Sequence, residues 1–209
     1  MPVAGRPLVE WSIEAFRACD SVRSIVVAAP PGHVSDLGGR DLAVVSGGGT
    51  RAESVANALK AVGTELVAVH DAARPLVTPA LVKALVADLE ANPETAGVIA
   101  AAPVADTIKR SQFRGSLVGQ EPTKEPRKVE ETVDRSQLWA AQTPQVFRTA
   151  GLREALAAAE RPEEATDEAM LVERTGGTVL IHPVAEPNPK VTTPLDLRVV
   201  ELLLAERDA

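Results

Sequence analysis

Tyrosine is absent from this sequence, and aromatic residues make up only 2% of it. Its 209 residues are nonetheless 45% hydrophobic, so the core has to be Val, Leu, Ile and Ala. Such a core suits α/β layers, whose parallel strands are buried on both faces. The single cysteine, Cys19, excludes an internal disulfide and any cysteine-based metal cluster. It lies in a helical pattern, where a free cysteine is usually a small core residue, and it fits a reducing compartment. The three histidines, His33, His70 and His182, have no metal-ligand spacing. No basic block or basic–aromatic interleaving occurs, and the net charge is −7. A nucleic-acid partner is therefore not expected. The longest nearly apolar run, Ala96–Ala105, is too short to span a bilayer. The opening MPVAGRPLVEWS lacks a signal-peptide layout. We expect a soluble cytoplasmic protein with no membrane partner, and a single domain over residues 1–209.

What the sequence does contain is an alternation. The apolar runs Ser24–Pro30, Leu42–Ser46, Glu65–Asp71 and Ala96–Val104 have strand length. Between them lie helices with start signals. Thr50 with Glu53 forms a capping box before Val55, Ala58, Leu59 and Val62. Thr78-Pro79 and Thr193-Pro194 each read as an N-cap followed by an N1 proline. Thr166 is expected to cap a shorter helix through Glu173, and Leu8–Arg17 reads as another helix. The order predicts an α/β fold, a mostly parallel sheet with helices on both faces. Ligands in such sheets bind at the carboxyl ends of strands. One region breaks the rhythm: Ser111–Lys128 is polar and is flanked by ADTIKR and VEETVDR, which could pair. It reads as a protruding β-arm over about residues 105–135.

Four constellations could carry chemistry. In SGGGTRAES, the glycines Gly47, Gly48 and Gly49 follow a strand and open onto a capped helix containing Ser54. Glycine lets backbone N–H groups approach a ligand, and a helix N-terminus favours anions. The stretch matches neither a Walker A nor a dinucleotide fingerprint, and equally fits an ordinary tight turn. In VHDAARPLV, Asp71 stands at a strand's carboxyl end. It could hold a metal or accept from a ribose hydroxyl. Arg74 could grip a phosphate, or the two could merely pair to close the turn. Lys190, in PNPKVTTP, precedes a short strand and a capped helix. Thr107 and Arg135 fall near the base of the arm, and Trp139 suits packing.

Taken in order, GGGTRAESVANAL, VHDAARPLV, AAPVADTIKR, TVDRSQLWAAQTPQVF, ATDEAMLVE and NPKVTTPLDL resemble the 2-C-methyl-D-erythritol 4-phosphate cytidylyltransferase family over nearly the whole chain. The resemblance implies a Rossmann-like nucleotidyltransferase fold and a homodimer with interlocking β-arms. It implies transfer of CMP from CTP to 2-C-methyl-D-erythritol 4-phosphate in the non-mevalonate isoprenoid pathway. Mg²⁺ or another divalent cation takes part, and pyrophosphate leaves. Carried over residue by residue, Gly47, Gly48, Gly49 and Ser54 contact the nucleotide. Asp71 holds the ribose or metal region and is the candidate metal ligand. Arg74 serves the substrate pocket. Thr107 and Arg135, from the other subunit's arm, position the acceptor phosphate. Lys190 and Arg135 are the candidate catalytic residues, with Lys190 near the reacting phosphates.

The family pattern opens with a strand and a glycine-rich loop, A-A-G-x-G-x-R, then P-K-Q. This sequence opens at MPVAGRPLVEWSIEAF, which resembles the family's segment just after that loop. Losing one donor to a developing charge costs about 10²–10³ in rate, so the activity of such a chain is expected to suffer. A fragment or mis-started product of an active enzyme is the favoured explanation, ahead of an impaired paralogue. The neighbours of the family's opening strand are then expected to lie open. Two alternatives remain: a cytidylyltransferase for another polyol phosphate such as ribitol phosphate, and a non-catalytic subunit that dimerises through the arm.

Overall fold

Runs rich in Val and Ala become strands, and the capped segments between them become helices, in a computed structural model that describes residues 2–38, 42–111, 126–161 and 165–207. A short hairpin, β1 (Pro2–Val3) and β2 (Arg6–Pro7), leads into α1 (Leu8–Arg17). Then come β3 (Ile25–Ala29), β4 (Leu42–Ser46), α2 (Arg51–Leu59), β5 (Leu66–Val69), α3 (Pro79–Ala91) and β6 (Gly97–Pro103). The arm strands are β7 (Lys109–Ser111) and β8 (Val129–Thr132). They are followed by β9 (Trp139–Arg148), α4 (Thr149–Ala158), α5 (Glu168–Arg174), β10 (Val179–Pro183) and α6 (Pro194–Arg207).

The core is the sheet β10-β6-β9-β5. β10 lies parallel to β6, while β9 runs antiparallel to both β6 and β5. Side-chain alternation along β6 divides the packing. Val98 and Ala100 meet Leu85 and Leu89 of α3. Ile99 faces the other way, onto Leu152 of α4 and Leu171 and Val172 of α5. Both faces are thus covered by helices, and β6 is buried along most of its length. The need for glycine at position 97 is local, since a Cβ there would stand 2.3 Å from the Phe147 ring.

β3 and β4 pair in parallel as a separate two-stranded sheet. Among the described residues, the second edges of β3 and β5 have no strand partner. A cavity of about 920 Å³ lies between them. Residues 24–28 and 65–71 form its sides, Ile13 and Phe16 of α1 and Val55 and Ala58 of α2 its apolar walls. Every residue of β5 stays only partly buried, in contrast to β6.

The cap predictions hold with refinements. The Thr50 hydroxyl accepts from the Glu53 N–H (3.1 Å), but the Glu53 carboxylate returns to the Gly49 N–H, not to Thr50 (2.7 Å). Thr78 accepts from Leu81 (3.2 Å), and Thr193 from Asp196 (3.2 Å). The expected Thr166 cap is displaced by one residue. Asp167 takes the N-cap place and accepts from the Met170 N–H (3.0 Å), as an ionised acceptor favours a helix N-terminus. Cys19 is buried beside Phe16 and Val82, as a small core residue should be. In the arm, β7 and β8 pair antiparallel, with an Arg110–Glu131 ion pair across them (3.0 Å). Residues 112–125 of the arm lie outside the described residues. No strand follows Lys190 among the described residues. Instead the Val191 N–H donates singly to the Ala73 carbonyl (2.8 Å).

Candidate active site

β5 delivers residues 70–75 to the sheet's carboxyl edge. The turn there closes through its backbone, the Arg74 N–H donating to the Asp71 carbonyl (2.9 Å). The Asp71 carboxylate is therefore left for other partners. Its Oδ1 accepts from Arg51 Nε at 3.2 Å, and its Oδ2 from Lys190 Nζ at 2.8 Å. Arg51 also spans to Glu168, both carboxylate oxygens of which accept from its Nη1. Glu168 is 1% exposed, so this is a buried charge whose partner is obligatory. Arg51 comes from the first turn of α2, Glu168 from the start of α5 and Lys190 from the loop before α6. Arg74 lies beside them, so Arg51, Lys190 and Arg74 gather with Asp71 and Glu168 at this edge.

The titration behaviour follows from this geometry. Burial pushes Asp71 upward, but the Lys190 hydrogen bond and the Arg51 charge outweigh it and hold the carboxyl below its ordinary range. Glu168 goes the other way: burial raises it, against the pull of Arg51. Burial lowers Arg74, with Asp71 opposing.

The Lys190 loop is tied to the Asp71 turn from several sides. Arg74 Nη1 donates to the Asn188 carbonyl (2.6 Å). The Asn188 side chain is 5% exposed and donates to Gln142 Oε1 (3.1 Å) and the Thr143 carbonyl (2.9 Å) of β9. Arg74 Nε and Asn188 Oδ1 have no partner among the described residues. The Lys190 side chain remains 45% exposed, so its ammonium can reach a ligand while resting on Asp71.

The glycine turn sits close by, but its amides are engaged. Gly47 donates to the Ala29 carbonyl (2.7 Å), Gly48 to Ser54 Oγ (3.0 Å) and Gly49 to Glu53 Oε2 (2.7 Å). The Ser54 hydroxyl donates onward to the Thr50 carbonyl (2.9 Å). A Cβ on Gly48 would stand 2.3 Å from that of Glu53, so this turn needs glycine for close approach. Thr107 and Arg135 lie apart from this group, exposed at the base of the arm, where Arg135 donates to the Ala105 carbonyl. Among the described residues, no cluster of three or more His, Cys, Asp or Glu side chains could hold a metal. No helix among them is long and apolar enough to cross a membrane.

His70 lies beneath the turn. Its Nε2 is 3.1 Å from the Arg74 carbonyl, and its Nδ1 is 3.0 Å from Thr143 Oγ1. Burial lowers its pKa from 6.5 to about 4. The unfolded chain therefore binds a proton that the folded chain refuses between those values. His70's contribution is fully present above pH 6.5 and is lost as pH falls towards 4, about 3 kcal/mol in all. Urea titrations of the ligand-free chain at pH 7, 5.5 and 4.5 should show it. An unchanged midpoint across that window would contradict the burial of a neutral ring.

Sequence reasoning singled out Asp71, Arg74, Lys190 and the glycine turn, which the fold brings together. It missed Arg51, Glu168, Thr143 and Asn188.

A family model for "IspD: 2-C-methyl-D-erythritol 4-phosphate cytidylyltransferase" matches residues 1–206. The 2-C-methyl-D-erythritol 4-phosphate cytidylyltransferase of Xylella fastidiosa (strain M23) is 40% identical, the match covering 99% of this chain and 88% of that one. The Synechococcus sp. (strain WH7803) protein of the same name is 39% identical, with 99% and 90% covered. Among solved structures, 2-C-methyl-D-erythritol 4-phosphate cytidylyltransferase from Thermus thermophilus superposes with a TM-score of 0.78. It is 36% identical, and the match covers 98% of this chain and 92% of that one.

Proposed function

The chain belongs to the 2-C-methyl-D-erythritol 4-phosphate cytidylyltransferase family, and from that premise we propose how its residues divide the work. The reaction is cytidylyl transfer from CTP to 2-C-methyl-D-erythritol 4-phosphate. An acceptor phosphate oxygen bonds to the α-phosphorus of CTP as the bond to the β-phosphate breaks, and pyrophosphate leaves. The acceptor is already an anion, so no side chain need act as nucleophile or base. The protein's task is to hold two anions in line and to oppose the charge that develops between them.

The observation that carries this reading is Asp71 holding Arg51 and Lys190 together at the sheet's carboxyl edge. Lys190 and Arg51 face the nucleotide's phosphates, and Asp71 fixes both cations. Asp71 also stands where a ribose hydroxyl or a metal would meet a carboxylate. Arg74 serves the substrate pocket indirectly, by gripping the Asn188 carbonyl and so setting the Lys190 loop. Gly47, Gly48, Gly49 and Ser54 form the wall against the nucleotide. Their N–H groups are already engaged, so this wall acts through shape.

A Mg²⁺ ion fits this site as a passenger of the triphosphate. Mg²⁺ typically takes one or two protein carboxylates and fills its shell with phosphate oxygens and water, and Asp71 supplies one. When bound, it neutralises phosphate charge. Among the described residues, Thr107 and Arg135 make no hydrogen bond or ion pair to the Asp71 group, and Arg135 donates to the Ala105 carbonyl. We assign them to the acceptor phosphate of a partner subunit, in a homodimer joined through the arms.

The test is pyrophosphate release by the purified chain with CTP, Mg²⁺ and 2-C-methyl-D-erythritol 4-phosphate, with formation of the CDP-linked product. Release with ribitol phosphate in its place would move the assignment to another polyol phosphate. No release with either would overturn it.

A further inference from the structure

We infer that His70 is a positioning residue for cytidylyl transfer, holding both ends of the Asp71–Arg74 turn with its ring proton on Nε2. The inference rests on the proposed cytidylyl-transfer reading.

Donors and acceptors around the ring decide where its proton lies. The Arg74 carbonyl can only accept, and His70 Nε2 lies 3.1 Å from it, so Nε2 carries the proton. Thr143 Oγ1 accepts from the Asp71 backbone N–H at 3.0 Å. Its hydroxyl proton then needs an acceptor, and His70 Nδ1 stands 3.0 Å away. The bonds form one directed chain: Asp71 N–H to the Thr143 hydroxyl, that hydroxyl to Nδ1, and Nε2–H to the Arg74 carbonyl. With a proton on both ring nitrogens, the Thr143 hydroxyl would lose its acceptor.

The consequence lies in what the turn carries. Asp71 holds Arg51 and Lys190, and Arg74 holds the Asn188 carbonyl. His70 touches the turn's last residue directly and its first through Thr143. It holds the phosphate-facing groups only through that turn, and the reaction has no proton for it to move. Its ring is held against Phe16 at 5.4 Å between centroids, which fixes the imidazole plane. Misplacing a reacting group by about 1 Å can cost about 10²-fold, so a loosened turn registers in turnover.

The experiment compares His70→Phe, Thr143→Val, the double variant and His70→Asn. The Phe variant keeps the ring contact with Phe16, and Thr143→Val keeps shape. Each is expected to lower kcat/KM for CTP by about 10-fold or more, and the double variant no further, since both break the same chain. His70→Asn offers an amide oxygen in place of Nδ1 but no donor at the Nε2 position, and should recover part of the loss. Multiplying losses in the double variant, or an Asn variant as poor as Phe, would overturn the inference. The proton's position is read separately, from ¹⁵N correlations of the His70 ring in the wild-type chain. A proton on Nε2 alone supports the inference, and one on Nδ1 overturns it. That measurement needs no turnover. A chain that never converts CTP would sink the cytidylyl-transfer reading while the ring proton still decides this one.

Discussion

Asp71→Asn should lower kcat/KM for CTP by about 10²–10³. Asp71 contacts Arg51 with one oxygen and Lys190 with the other, and no other described residue bridges that pair. An asparagine keeps the shape but removes the charge, and it turns an N–H donor towards a cation. Arg51 would stay with Glu168, whereas Lys190, half-exposed already, would swing into solvent. The loss should fall on kcat as well as KM, because the ammonium then has to be repositioned in each turnover. Steady-state pyrophosphate release measures this. A change smaller than about threefold would remove Asp71 from the centre of the site.

Glu168→Ala should act on stability first. Glu168 is buried, and its charge is met by Arg51. Breaking a buried pair by deleting one member typically costs about 3–5 kcal/mol. Arg51 keeps 35% of its side chain in solvent, which eases the charge left behind and points to the lower end, about 3 kcal/mol. Urea denaturation should show that loss, and the pair replacement Arg51→Met with Glu168→Leu should recover much of it. A Glu168→Ala chain within about 1 kcal/mol of wild type would mean that water already reaches the pair.

The local signals in the sequence were faithful where the physics is local. β4 and α1 match their expected spans, and Thr50, Thr78 and Thr193 accept the bonds their spacing implied. Asp71 could be placed because a carboxylate after an apolar run has few other places to go. β9 was invisible as an antiparallel strand between β5 and β6, because its register depends on strands far away in the chain. The Arg51–Glu168 pair spans 117 positions and leaves no periodic trace. One hint existed: Arg51 stands in the first turn of a helix, where the dipole disfavours a cation, which asks for a remote carboxylate. Glu168 gave no hint, since an acid at a helix start is comfortable there. Asn188 stands between two prolines in a loop, where nothing local announces that its side chain anchors onto Gln142 and Thr143.

The cavity between β3 and β5 divides the molecule by its exchange with solvent deuterium. Amides buried in the β6–β9 ladder are released only when the larger sheet opens as a whole, so they should exchange last. Those of the two-stranded β3–β4 sheet, whose inner edge meets no described strand across the cavity, should label early. The β3–β4 pair carries the start of the glycine turn, and the larger sheet carries Asp71 and, through Asn188, the Lys190 loop. The proposed nucleotide site therefore straddles a half expected to breathe quickly and a half expected to breathe slowly. A nucleotide held by both should slow the labelling of the faster one more than that of the slower.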